Sequence, residues 1–197
     1  MSDKPFDMPP DVMNGFDDRR GGWLVNRLME DLSITRDEAA GIVGNLAGES
    51  GIQAINEKVP MIPGSRGGFG WAQWTGPRRR AFEAFAFSNG LDITADETNY
   101  RFLLRELDKE EHRALLGVIA TTSLAEATRQ FMVLFERPGD PEGTLPSRIA
   151  FAKRAYKASL EQPQAAPQQP VVIDPPQKQP DLKSPSVAGH KPIATEW

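Results

Sequence analysis

The sequence predicts a mainly helical domain over residues 19–160, carrying one small β-hairpin. An acidic, flexible lead-in over 1–18 precedes it, and a disordered Pro/Gln-rich tail over 161–197 follows. Three observations carry this reading. Thr or Ser followed three residues later by Glu occurs at Thr35/Glu38, Thr94/Glu97 and Ser123/Glu126. In such capping boxes each side chain satisfies a backbone N–H that a helix start leaves open. Behind the second box Tyr100, Leu103, Leu104 and Leu107 recur at helical spacing, and behind the third Leu124, Ala127, Phe131, Leu134 and Phe135 do the same. Finally, residues 162–197 hold 8 of the 17 prolines and too few large apolar groups to offset the entropy of ordering them.

Taken in order, the lead-in holds five acids and one base before a helix expected near 22–32. Thr35 starts the next helix, which ends in "AAGIVGNLAGESGIQ" (39–53). Each of its interior glycines costs roughly 0.8–1 kcal/mol relative to alanine. At 100° per residue, Ala39, Ile42, Val43 and Leu46 form one face, and Gly41, Gly44 and Gly48 gather opposite. A helix apolar on one side and bare on the other is packed on both, so it belongs at the centre, where glycine lets another backbone approach closely. The interval "GGFGWAQW" (67–74) alternates Phe69, Trp71 and Gln73 with Gly70, Ala72 and Trp74, as a tight hairpin would. Further helices are expected near 77–89, 110–120 and 147–160.

The bulk numbers exclude several classes. There is no cysteine, so neither a disulfide scaffold nor a thiolate metal site is available, and the two histidines, His112 and His190, lie far apart. No apolar run reaches the roughly 18 residues of a membrane span, and the first residues lack the apolar core of a secretory signal. Residues 19–158 hold 19 bases and 18 acids, without the basic excess that binding nucleic acid through phosphates requires.

Glu49 stands at the edge of the apolar face, three residues after Leu46, at the end of the glycine helix. A carboxyl there is favoured in its neutral form by desolvation and by the helix dipole. That is the state a general acid needs. A Glu that merely caps a helix end is the plain alternative. "GIVGNLAGESG" followed by "GGFGWAQWTGPRR" resembles the phage tail lysozyme family. More distantly, it is similar to the Glu-Ser and Gly-x-x-Gln motifs of goose-type lysozymes and lytic transglycosylases. "NYRFLLREL" and "FMVLFERPG" extend the resemblance over roughly residues 22–158.

The resemblance implies a lysozyme-like fold and cleavage of the β-1,4 bond between N-acetylmuramic acid and N-acetylglucosamine in peptidoglycan. It makes Glu49 the catalytic acid, with Ser50 beside it and Gln73 hydrogen-bonded to substrate or to a water near Glu49. Trp71 and Trp74 would stack on sugar rings and Tyr100 would stand near the acid; plain core packing is the alternative for all three. Arg78, Arg79 and Arg80 read as a solvated face. Most glycosidases use two acids, and Glu57, in the loop before the hairpin, is the nearest second candidate. No cofactor and no metal are implied. The expected partners are peptidoglycan strands and, through the tail, other virion or tail proteins. A virion-carried or lysis-released enzyme fits the absence of a signal. The reading is therefore a hydrolytic muramidase. A lytic transglycosylase giving 1,6-anhydro ends, a non-catalytic wall-binding or tail module, and a chitinase-like glycosidase are its rivals.

Overall fold

Asp17 opens the first helix, its side chain accepting from the Arg19 backbone N–H, so α1 runs Asp18–Leu32 and starts earlier than the spacing alone suggests. These coordinates come from a computed structural model that describes residues 4–13, 15–60 and 64–162. The tail from 163 onward, with the disorder and tethering expected of it, lies outside the described residues. After α1 come α2 (Arg36–Ser50), α3 (Gly76–Ser88), α4 (Asp96–Asp108), α5 (His112–Ile119) and α6 (Leu124–Phe131). A π-turn, Met132–Glu136, then leads to α7 (Pro141–Glu161). No helix among the described residues is long and apolar enough to cross a membrane.

Two of the three expected boxes form in whole or in part. Thr35 and Glu38 make both reciprocal bonds. Ser123 caps α6 through the Glu126 N–H, while the Glu126 carboxylate turns to Thr122. Thr94 instead bonds Asp92, and α4 starts at Asp96 without a side-chain cap. The last helix begins at Pro141, with its fixed φ suited to a first turn, and continues through Pro146.

Helix α2 is the centre of the bundle, packed against α1, α6 and α7. Ile42, Val43 and Leu46 are fully buried. On the bare face, a Cβ at Gly41 would stand 2.7 Å from the Thr128 backbone nitrogen. At Gly44 it would stand 2.5 Å from the Arg148 carbonyl oxygen. Close approach of α6 and α7 thus offsets the propensity cost of both glycines.

The lead-in does not behave as its charge suggests. Phe6 meets Trp23 edge-on at 4.8 Å, the Trp23 indole donates to Asp7, and Phe16 is buried against Phe151. The fully buried Arg20 ties this segment to the rest, donating to the Pro9 carbonyl, the Ile52 carbonyl and both oxygens of Asp96. The two phenylalanines of this stretch, Phe6 and Phe16, hold it against Trp23 and Phe151 in spite of its acids.

The expected β-hairpin is not formed, and no strand occurs among the described residues. Phe69 makes isolated antiparallel bridges to Asn56 and Trp74, and Gln73 N–H closes a turn on the Gly70 carbonyl. Gly70 (φ +81°) and Gln73 (φ +45°) both take left-handed backbone, which curls the chain after a single pair. Thr75 is already the cap of α3, so no ladder can extend. Because the segment turns rather than alternates, Trp71 and Trp74 both enter the core.

Candidate active site

Glycine also ends α2. Gly51, left-handed at φ +69°, donates to the Ala47 carbonyl and stops the helix two residues after Glu49. Arg148 on α7 reaches Glu49, its Nη2 donating to Oε1 at 2.5 Å, and the two side chains are 5% and 22% exposed. Asn45 holds that guanidinium from below. Its Oδ1 and carbonyl accept from Arg148 Nη1, while its amide donates to the Gly41 and Thr128 carbonyls. Glu49 therefore meets a fixed cation instead of the apolar wall expected for it. Its other oxygen, Oε2, makes no hydrogen bond with the described residues and stays within reach of a ligand.

A second carboxylate, that of Glu136, lies close enough to Glu49 for their charges to interact. Glu136 closes the π-turn, a widened turn common at functional positions, and Arg137 after it is left-handed at φ +53°. Its Oε1 is buried with no hydrogen-bond partner, as is Nε of Arg148. Burial, and then the like charge of Glu49, push the Glu136 carboxyl well above the ordinary carboxylate range, against the pull of Arg78 and Arg148. Arg78 is already taken. It forks onto Glu106 through Nε and Nη2, both at 2.9 Å, and its Nη1 donates to the Phe135 carbonyl. Glu57 accepts from the Gly68 N–H and supports the loop.

The residues expected to hold sugar fare differently from one another. Ser50 is buried, and its hydroxyl donates to the Trp71 carbonyl at 2.8 Å, bolting the end of α2 to the Gly70–Gln73 turn. Trp71 and Trp74 are buried, with their indole N–H groups on Asp96 and Glu106. Tyr100 is buried as well and donates to Asp31 at 2.7 Å. Burial and that carboxylate push its phenol far above the usual range. These three aromatics are core members with satisfied polar tips and offer no face to a sugar. Gln73 is half-buried, its amide nitrogen spent on the Ile55 and Gly70 carbonyls, which leaves Oε1 able to accept from a hydroxyl or water. Of the three arginines, Arg78 and Arg79 are engaged by Glu106 and Glu83. A separate groove of about 410 Å³, lined by residues of α1, α3 and α4 such as Leu32, Phe85 and Leu104, contains none of these site residues.

Sequence reasoning missed Glu136 and Arg148. Glu136 lies inside "FMVLFERPG", a segment that carries the family resemblance, so the signal was present in an acid following buried phenylalanines. Arg148 gave no local sign, since its partner is a hundred residues away in the chain to within one. A comparison with curated proteins gives no match. A family model described as phage tail lysozyme matches residues 23–158, from within α1 to the last turn of α7. The chain belongs to the phage tail lysozyme family, and its helical domain is a lysozyme-like, peptidoglycan-acting one.

Proposed function

We propose that this protein is a muramidase that hydrolyses the β-1,4 bond between N-acetylmuramic acid and N-acetylglucosamine, with Glu49 as proton donor. The observation that carries this is the posture of Glu49: one oxygen is pinned by Arg148 and the other is free of hydrogen bonds with the described residues, on a side chain that is 22% exposed. Protonated, the open oxygen can give its proton to the glycosidic oxygen as the C1–O bond breaks. Arg148 then faces the carboxylate that forms and stabilises it. Proton transfer of this kind contributes typically about 10²–10⁴-fold. The oxocarbenium-like sugar is captured by water, for which Gln73 Oε1 is the available acceptor. Ser50 acts through the turn, holding it at the end of the acid's helix. Carriage in the virion is part of the same proposal.

Turbidity clearing of purified peptidoglycan, run beside a chitin-degradation assay, tests the reading. Peptidoglycan should clear and chitin should remain intact. Cleavage of chitin would make the protein an N-acetylglucosamine glycosidase, and action on neither would make it a wall-binding module.

A further inference from the structure

Asn45 is a polar side chain at the centre of the bundle, fully buried on α2 one turn before Glu49. Its amide nitrogen donates to two carbonyls, those of Gly41 on its own helix and Thr128 on α6, each at 2.9 Å. Carbonyls only accept, so the amide cannot flip and Oδ1 must face the other way. There it meets Arg148 Nη1 at 3.2 Å, and the Asn45 backbone carbonyl lies 3.3 Å from the same nitrogen. The other terminal nitrogen of Arg148, Nη2, is the one that donates to Glu49. Gly48 supplies the floor on which the arginine lies. A Cβ there would stand 3.1 Å from Arg148 Cγ and 3.4 Å from Nη1, so the side chain rests against bare helix backbone.

We infer that Asn45 is a positioning residue that acts through Arg148 and fixes where the Glu49 carboxyl points. This rests on the muramidase reading for what the geometry serves, though not for the geometry itself. A guanidinium is planar and rigid, so holding Nη1 and the stem sets the plane in which Nη2 reaches Glu49. Glu49 is 22% exposed, and without that hold its side chain is free to change rotamer. Fixing Oε1 also fixes Oε2, the oxygen that faces the ligand. No other side chain of this size serves as well. An aliphatic residue would fill the space without joining α6 to Arg148, and aspartate would set an oxygen against the Gly41 and Thr128 carbonyls. The placement of α6 and α7 against α2 is thereby passed to the acid.

Steady-state kinetics of the full chain on solubilised peptidoglycan separate this role from plain core packing, with each variant assayed below its own melting transition. Asn45→Ala should lower kcat by at least about tenfold, toward the roughly 100-fold that a misplacement of about 1 Å can cost. KM should stay at the parental value, because the residue is sealed from substrate. The same substitution made in Arg148→Met should change kcat little further, since the group it acts through is already gone. A double-mutant cycle measures that non-additivity. An unchanged kcat in folded Asn45→Ala, or the same proportional loss in both backgrounds, overturns the inference.

Side-chain NMR of the Arg148 guanidinium, assigned with Arg148→Met, needs no activity. In the parent the two Nη groups should give separate signals, because Asn45 and Glu49 hold them apart and stop rotation about the Cζ–Nε bond. In Asn45→Ala the signals should merge. A single averaged signal in the parent overturns the inference even where the variant does not fold, and signals still separate in the folded variant do the same. Signals that merge in Asn45→Ala, in a protein whose parent lyses nothing, would count against the muramidase reading and leave the hold of Asn45 on Arg148 standing.

Discussion

Glu49→Gln is expected to lower lytic activity at least about 100-fold, the lower end of what a positioned general acid contributes. Glutamine has the shape of glutamate and no proton to give. The fold should tolerate it. A side-chain carbonyl can still accept from Arg148. Breaking a buried ion pair outright costs about 3–5 kcal/mol, largely because one charge is left uncompensated. Here the glutamine oxygen still accepts from Arg148 and residue 49 is 22% exposed, so the loss should be much smaller. Turbidity assays and thermal unfolding followed by circular dichroism measure the two effects side by side. Near-parental lysis would remove Glu49 from the chemistry, and a collapsed melting transition would show that its role is structural.

Gly44→Val is expected to have the largest effect on stability. A Cβ at this position would stand 2.5 Å from the Arg148 carbonyl oxygen, 2.6 Å from the Ala152 Cβ and 2.8 Å from the Ala152 nitrogen. Two of those three atoms are backbone, so no rotamer change relieves the clash and α7 must move away from α2. Overpacking of this kind costs typically 1–3 kcal/mol, and a branched side chain against backbone belongs at or above about 3 kcal/mol. For a chain of this size, that corresponds to a melting temperature lower by roughly 6–12 °C. Activity should fall with it, because the segment pushed away carries Arg148, the anchor of Glu49. A melting temperature within a degree or two of the parent would mean that the two helices are not in the close contact described.

What the sequence disclosed was local. The Thr35 box, the central place of the glycine helix and the position of Glu49 at its end follow from neighbours a few residues apart, where spacing on a helix fixes direction. Glu136 does not follow from helix spacing. The π-turn inserts a residue after Phe131, so Glu136 leaves the helical register that the Leu124–Phe135 pattern implies. Glu57 is the nearest second acid along the chain, yet its carboxylate accepts from the Gly68 N–H. Trp71, Trp74 and Tyr100 failed as sugar platforms for a related reason. Each carries one polar atom that must be satisfied on burial, and the acceptors, Asp96 and Glu106 on α4 and Asp31 on α1, stand 25, 32 and 69 residues away in the chain, beyond what spacing on one helix can pair. An aromatic in a glycine-rich turn reads equally well as a binding surface or as core until those partners are placed.

The proposed chemistry is tested most directly by mass spectrometry of peptidoglycan digested with the full chain and then reduced with borohydride. Hydrolysis with Glu49 as proton donor predicts muropeptides ending in a reducible N-acetylmuramic acid, absent from the Glu49→Gln digest. A dominant product lighter by one water, not reducible, would show capture by the sugar's own 6-hydroxyl. Reducible N-acetylglucosamine ends, or reducible N-acetylmuramic acid ends formed equally well by Glu49→Gln, would contradict the account.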